Sequence, residues 1–111
     1  MTLPESIKKR IVSKITEKFK VKDIILFGSY AQGNAGKDSD IDILVLLNEN
    51  GITQTYMEKI RKRMAVSNLI SDAEQKIPVD LLVYTIDEWQ RLTENNNSFI
   101  RRINKEGIKL L

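Results

Sequence analysis

The sequence predicts an α/β (α+β) fold in which helices pack on a small mixed β-sheet. Short apolar runs of strand length occur at residues 24–27, 40–47 and 79–84. Stretches whose apolar residues recur at helical spacing precede, separate and follow these runs. The resulting order is α-β-α-β-α-β-α with a closing strand or tail, which is typical of helices covering one sheet.

The composition limits the chemistry that this chain can perform. Its 111 residues, 41% hydrophobic and 30% charged, suit one globular domain spanning residues 1–111. It contains neither cysteine nor histidine, which excludes disulfides, thiolate chemistry and the commonest general base. Any catalysis must therefore use carboxylates, hydroxyls, lysine, arginine and metal ions that prefer oxygen ligands.

The charge and hydropathy patterns give expectations about location and partners. The net charge of +3 comes from 18 basic and 15 acidic residues that are interspersed, so we do not expect a nucleic-acid partner. No apolar run has the length of a signal-peptide core or of a membrane span. We therefore expect a cytoplasmic protein that makes no contact with a membrane.

The first helix is predicted to begin in a capping box at residues 2–5, with Pro4 inside its first turn. It should end near Lys20. Its packed face is formed by four residues at helical spacing: Ile7, Ile11, Ile15 and Phe19.

The middle of the chain supplies two strands and two helices. The strand at residues 24–27 leads to a helix of one or two turns that begins at Ser29 and is broken by Gly33 and Gly36. The strand at residues 40–47 is apolar at consecutive positions, so we expect both of its faces to be covered. A turn at 48–51 precedes the longest helix, residues 53–73, with a predicted buried stripe of Ile52, Tyr56, Ile60 and Met64.

The last third of the chain begins with the strand at 79–84, after Pro78 has ended the preceding helix. A second capping box, at residues 85–88, should start a helix that includes Trp89 and Leu92. The asparagines at 95–97 form a predicted loop. Residues 98–105 form the last predicted helix, Gly107 ends it, and 108–111 form a closing strand or tail.

Gly28 and Ser29 lie where the first strand gives way to the short helix. Glycine permits close approach of a ligand to the backbone, and the N–H groups at a helix start attract phosphate. Taken alone, the pair favours an ordinary tight turn from strand to helix with Ser29 as the N-cap. The hypothesis of a nucleotide-binding turn depends on the acidic residues that follow.

Asp40 and Asp42 are separated by one residue at the start of the second strand, so their side chains should project from the same face. Two carboxylates placed in this way repel each other unless a cation lies between them. Mg²⁺ is the expected cation, because it is commonly held by one or two carboxylates together with substrate phosphates. A solvated acidic turn is the alternative, and it fits Asp42 less well because that residue lies between two isoleucines.

Asp80 is the only charged residue in the third strand, and we predict that it is a further metal ligand and a base. The Gly28–Ser29 turn follows the first strand, whereas the aspartates open the second and third. These groups can converge only if the first strand runs antiparallel to the other two, which predicts a mixed sheet.

The motif GSYAQG followed by DSDIDILV, with a later carboxylate in an apolar strand, resembles the DNA polymerase β-like nucleotidyltransferase superfamily. The short chain and its ending FIRRINKEGIKLL are similar to the minimal nucleotidyltransferase (MNT) group, known as antitoxins of HEPN ribonuclease toxins. The resemblance implies a nucleotidyltransferase fold. It also implies that Gly28 and Ser29 bind triphosphate and that Asp40, Asp42 and Asp80 are catalytic metal ligands. Many relatives have arginine where this chain has Gln32, and Lys37 is a candidate replacement for that charge.

The activity implied by the resemblance is Mg²⁺-dependent transfer of AMP from ATP to a tyrosine hydroxyl of a HEPN toxin. Two other functions stay open. The chain could neutralise its partner by contact alone, through the basic residues 59–63 or 101–102. It could also modify a small molecule, although such enzymes generally carry a further domain to hold the acceptor.

Overall fold

A computed structural model of the chain describes residues 3–52, 55–70, 77–95 and 97–111. The α/β class and the predicted order of elements are confirmed. In chain order, the elements are α1 (Glu5–Lys18), β1 (Val21–Phe27), α2 (Ser29–Gln32), β2 (Ile41–Leu47), α3 (Tyr56–Ile70), β3 (Val79–Thr85), α4 (Ile86–Glu94), α5 (Ser98–Glu106) and β4 (Ile108–Lys109). Within the described ranges, no helix is long and apolar enough to cross a membrane.

The strands form one mixed sheet in the order β3-β2-β1-β4. Strand β1 pairs antiparallel with both β2 and β4, whereas β2 and β3 are parallel. Strand β1 therefore runs opposite to β2 and β3, as the convergence of the predicted site residues requires. The closing strand is the two-residue β4, which pairs with Ile25 and Leu26 of β1.

Helices cover both faces of the sheet, which is why β2 has almost no polar residue. Side chains alternate between the two faces along a strand. One face of β2 packs on α1 and α3, through the buried residues Ile11, Ile15, Ile43, Val45, Val66 and Ile70. The other face packs on α5 and α4, through Leu44, Leu46, Ile103 and the half-buried Trp89. The prediction that β2 is covered on both sides is confirmed.

The predicted buried stripe of α3 is wrong. Tyr56 is 78% exposed and Met64 is 56% exposed, and Ile52 is also exposed. The helix packs instead through Val66 and Ile70, which are one turn apart on a different face. Apolar residues occur on two faces of this helix, and only its contacts with α1 and β3 decide which face is buried.

The predicted start of the first helix also needs correction. Helix α1 begins at Glu5 with Pro4 at the N-cap, where no side chain caps it. Pro4 is therefore two positions earlier relative to the helix start than predicted, and its carbonyl accepts from the N–H groups of Ile7 and Lys8. Thr2, the other half of the predicted capping box, lies outside the described residues, as do residues 53–54, 71–73 and 96 of the predicted helix and loop.

The predicted capping box at the start of α4 is confirmed, and it connects two parts of the chain. The Thr85 hydroxyl accepts from the Glu88 N–H at 3.1 Å, and the Glu88 carboxylate accepts from the Thr85 N–H at 2.9 Å. The same hydroxyl donates to the Gly51 carbonyl at 2.7 Å. Because Thr85 is only 1% exposed, these bonds satisfy a buried polar group that ties β3 and α4 to the 48–51 turn.

We expect Thr85→Ala to lower the free energy of unfolding by about 1–3 kcal/mol, because α4 loses its cap and a carbonyl loses its donor. Thr85→Ser keeps the hydroxyl and should retain most of the stability. Urea denaturation of the two variants measures the difference. Equal stability of the alanine variant and the native protein would contradict this role.

Candidate active site

Four of the five predicted site residues, Gly28, Ser29, Asp42 and Asp80, meet where β1 ends and β2 and β3 begin, on the face that α5 covers. In the strand register, Phe27 of β1 lies opposite Asp42 of β2, and Asp42 lies beside Asp80 of β3. Neighbouring strands are about 4.8 Å apart. Gly28 follows Phe27 directly, so the turn after β1 is adjacent to the two carboxylates.

Gly28 is required at its position for two reasons. Its backbone has φ 74° and ψ −156°, a region that is essentially restricted to glycine. A Cβ atom at this position would also collide with the carboxylate of Asp42 and would lie 3.0 Å from its Cγ atom. The backbone of Gly28 was expected to approach a ligand closely. In the structure, it approaches the Asp42 carboxylate instead.

Helix α2 is a single turn held by backbone bonds. The N–H groups of Ala31 and Gln32 donate to the Gly28 carbonyl at 3.1 and 3.2 Å, and Tyr30 is buried beneath the turn. The first N–H groups of a helix have no acceptor within that helix. In α2 these belong to Ser29 and Tyr30, next to the Ser29 hydroxyl, so donors are grouped beside the acidic pair.

Asp42 and Asp80 form an acidic pair, and their carboxylates repel each other when no cation lies between them. Burial raises the pKa of Asp42 above its usual value, and the nearby charges of Asp80 and then Asp40 raise it further. Each cause disfavours the ionised form of Asp42. A hard divalent cation would reverse this effect, and carboxylate oxygens are the ligands that such a cation prefers.

Asp40 is placed differently from the other two aspartates. Strand β2 begins at Ile41, so Asp40 lies in the preceding loop rather than in the strand, and it is exposed. Within this loop, turns occur at Gly33 and at residues 37–38. The apolar pattern alone does not show whether Asp40 belongs to the loop or to the strand. The charge of Asp40 still acts on Asp42.

A cavity of about 550 Å³ opens at this edge of the sheet. Gly28, Ser29, Asp42 and Asp80 line it, whereas Asp40 and Lys37 do not. Within the described ranges, no group of three acidic side chains is gathered closely enough to form a metal centre. Asp42 and Asp80 therefore fit a cation by their position and charge, and Asp40 would have to turn toward them to join.

Helix α5 provides cavity residues that the sequence did not reveal. Phe99, Arg102 and Glu106 line the same cavity as the Gly28–Ser29 turn. The Gln32 side chain donates to Glu106 at 2.8 Å. Position 32 therefore joins α2 to α5 in this chain. The sequence offers the two arginines of α5 only as a candidate contact surface for a partner, and the pairing of β4 with β1 is what brings the end of α5 to the site.

Comparison with known proteins points to one family. A family model described as "Nucleotidyltransferase domain" matches residues 8–110. A Methanocaldococcus jannaschii protein, named provisionally as a protein adenylyltransferase, is 44% identical over 54 residues, which cover 41% of this chain and 54% of that protein. The protein adenylyltransferase MntA of Thermococcus cleftensis is 47% identical over 45 residues, which cover 40% of this chain and 46% of that protein.

The matched stretches thus span about half the length of these relatives. Among solved structures, a toxin–antitoxin structure with AMP-PNP is similar, with a TM-score of 0.57 and 22% identity. The similarity covers 94% of this chain and 72% of that one. At this identity, the comparison establishes a shared fold.

We expect Gly28→Ala to lower the free energy of unfolding by at least about 1–3 kcal/mol, because alanine is strained in this backbone conformation. The new methyl group should also displace the Asp42 carboxylate. The matched control is Gly36→Ala, whose Cβ would meet only the Ser39 hydroxyl at 3.9 Å. Thermal denaturation of both variants provides the measurement, and equal midpoints would contradict the requirement for glycine.

We expect Asp42→Asn to stabilise the metal-free protein near neutral pH. The raised pKa of Asp42 means that its ionised form is less favourable in the folded than in the unfolded protein. This penalty appears as the pH rises through the unfolded-state pKa toward the folded-state pKa, so the gain should be larger at about pH 7 than at about pH 3.

Urea denaturation at both pH values, with and without Mg²⁺, tests this expectation. Mg²⁺ should stabilise the native protein more than the variant. Asp38→Asn, which neutralises an exposed loop carboxylate, is the control. A variant that is less stable than the native protein at neutral pH without Mg²⁺ would contradict the electrostatic account.

Proposed function

Because this chain belongs to the nucleotidyltransferase domain family, we propose that it is a Mg²⁺-dependent nucleotidyltransferase. More specifically, we propose that the protein is an antitoxin that transfers AMP from ATP to a tyrosine hydroxyl of a HEPN toxin. The observation that carries the transferase chemistry is the placement of Asp42 and Asp80 beside the Gly28–Ser29 turn in one cavity. We further propose that residues 1–111 act as one domain in the cytoplasm.

The proposed roles follow from the position of each group. The Ser29 hydroxyl and the first N–H groups of α2 bind phosphate oxygens of ATP, since they are donors beside the carboxylates. Asp40, Asp42 and Asp80 would hold Mg²⁺. When bound, the metal ions neutralise charge on the triphosphate and lower the pKa of an acceptor hydroxyl.

The reaction balances without any further reagent. The tyrosine oxygen of the acceptor forms a bond to the α-phosphorus of ATP, and the bond from that phosphorus to the bridging oxygen breaks. Pyrophosphate leaves with the electrons of the broken bond. The proton of the tyrosine hydroxyl is accepted by Asp80, which is an exposed carboxylate at the edge of the cavity.

The names of the similar proteins support the choice of nucleotide and partner. Two relatives carry the name protein adenylyltransferase, and the similar solved structure is a toxin–antitoxin with AMP-PNP. The cavity is also open on one side rather than closed around a small acceptor, which suits a side chain presented by another protein. We therefore propose a tyrosine of a HEPN toxin as the acceptor, because it agrees with both the names of the similar proteins and the open cavity.

Neutralisation of the partner by contact alone is the competing function. It draws support from the exposed apolar residues Tyr56, Met57 and Met64 of α3, which are interspersed with basic residues. The raised pKa of Asp42 favours catalysis, since a contact surface has no need for an unfavourable carboxylate cluster.

We expect the double variant Asp40→Asn/Asp42→Asn to lose at least about a hundredfold in AMP transfer, because the phosphates and the acceptor lose their metal ligands. The measurement is intact-mass spectrometry of a HEPN partner after incubation with ATP and Mg²⁺. The native protein should add one or more AMP units to the partner. Asp38→Asn, a nearby exposed carboxylate outside the cavity, should leave the rate unchanged.

Two results would change the assignment. Full transfer by the double variant would mean that these aspartates do not hold the metal. A stable complex that silences the toxin without any gain in mass would favour neutralisation by contact.

A further inference from the structure

Helix α5 closes one side of the cavity and is fastened near both of its ends. The ring of Phe99 packs edge-on against Phe27, with centroids 5.9 Å apart and an interplanar angle of 85°. At the last residue of the helix, Glu106 accepts the hydrogen bond from Gln32. Phe27 and Gln32 precede and follow the Gly28–Ser29 turn, so the part of α5 between its two contacts faces that turn.

Arg102 occupies the middle of this segment. It follows Phe99 by three residues and precedes Glu106 by four, so the three side chains share one face of the helix. All three line the cavity. Ile100 and Ile103 of α5 are buried in the core, and Ile103 also forms part of the cavity wall. This packing fixes the rotation of the helix and directs the Arg102 side chain to the cavity.

The charges around Arg102 leave its guanidinium available for an anion. Among the described residues that line the cavity, Arg102 is the only cation, and three carboxylates share the cavity with it: Asp42, Asp80 and Glu106. Within the described part of the chain, no ion pair involves Arg102. Glu106, one turn away, receives the Gln32 amide instead.

We propose that Arg102 of α5 binds the phosphate chain of the nucleotide together with the Gly28–Ser29 turn, which lines the same cavity. This inference rests on the proposed nucleotidyltransferase function and assigns a residue to its substrate. A guanidinium presents paired N–H donors that match two phosphate oxygens, and such charge-assisted bonds are stronger than neutral ones. Donors of α2 and α5 would then both bind the phosphate chain, and Asp42 and Asp80 would hold the cation in the same cavity.

Isothermal titration calorimetry with AMP-PNP and with inorganic triphosphate, both in the presence of Mg²⁺, tests the assignment. We expect Arg102→Ala to weaken the binding of both ligands by about ten- to hundredfold, the range for loss of a hydrogen bond to a charged group. Arg102→Lys should recover part of the affinity, because it restores the charge without the paired donors. Arg101→Ala is the matched control, since its exposed side chain does not line the cavity.

The possible results separate this inference from the function on which it rests. If the native protein binds neither ligand, the proposed function and the role of Arg102 both fail. If the native protein binds AMP-PNP and Arg102→Ala binds it as Arg101→Ala does, only the role of Arg102 fails. If Arg102→Ala weakens the binding of AMP-PNP but leaves the binding of triphosphate unchanged, the role of Arg102 also fails, because the contact would then be to the nucleoside.

Discussion

The antiparallel pairing of β1 with β2 is the constraint on which the site depends. It brings the end of β1 to the start of β2, so that Gly28 lies against the Asp42 carboxylate. The parallel pairing of β2 with β3 then adds Asp80 at the same level of the sheet. A shift of one residue in either register would turn the side chains of that strand to the opposite face, and the carboxylates would enter the core beneath α1 and α3.

Packing of the core stabilises this small protein, whereas repulsion between the carboxylates of the site destabilises it. The apolar faces of β2 are buried on both sides, and helices on each side hold its register. This packing can hold Asp42 beside two other carboxylates even though the surroundings raise its pKa. In the proposed function, Mg²⁺ would relieve that repulsion, so binding of the metal and the stability of the site are coupled.

Because α5 contributes Arg102, the site is a cavity of mixed charge and not only an acidic edge of the sheet. Its contacts through Phe99 and Glu106 place Arg102 in the same cavity as the first residues of α2. The side chain of Gln32 is part of this arrangement, because it binds Glu106 and so fastens the end of α5. The polarity of the cavity thus comes from residues that are more than sixty positions apart in the chain.

The sequence by itself determined the class of fold and the order of elements, because apolar runs of strand length are local signals. It also determined that the sheet is mixed, because the aspartates and the glycine turn are close in sequence and can meet only in that topology. It also singled out Gly28, Ser29, Asp42 and Asp80, which line one cavity, since a glycine turn and charged residues stand out against apolar strands. The buried face of α3, the loop position of Asp40 and the cavity residues of α5 were decided only by the tertiary structure. In each case, packing between distant elements selects among faces or positions that the local pattern leaves equivalent.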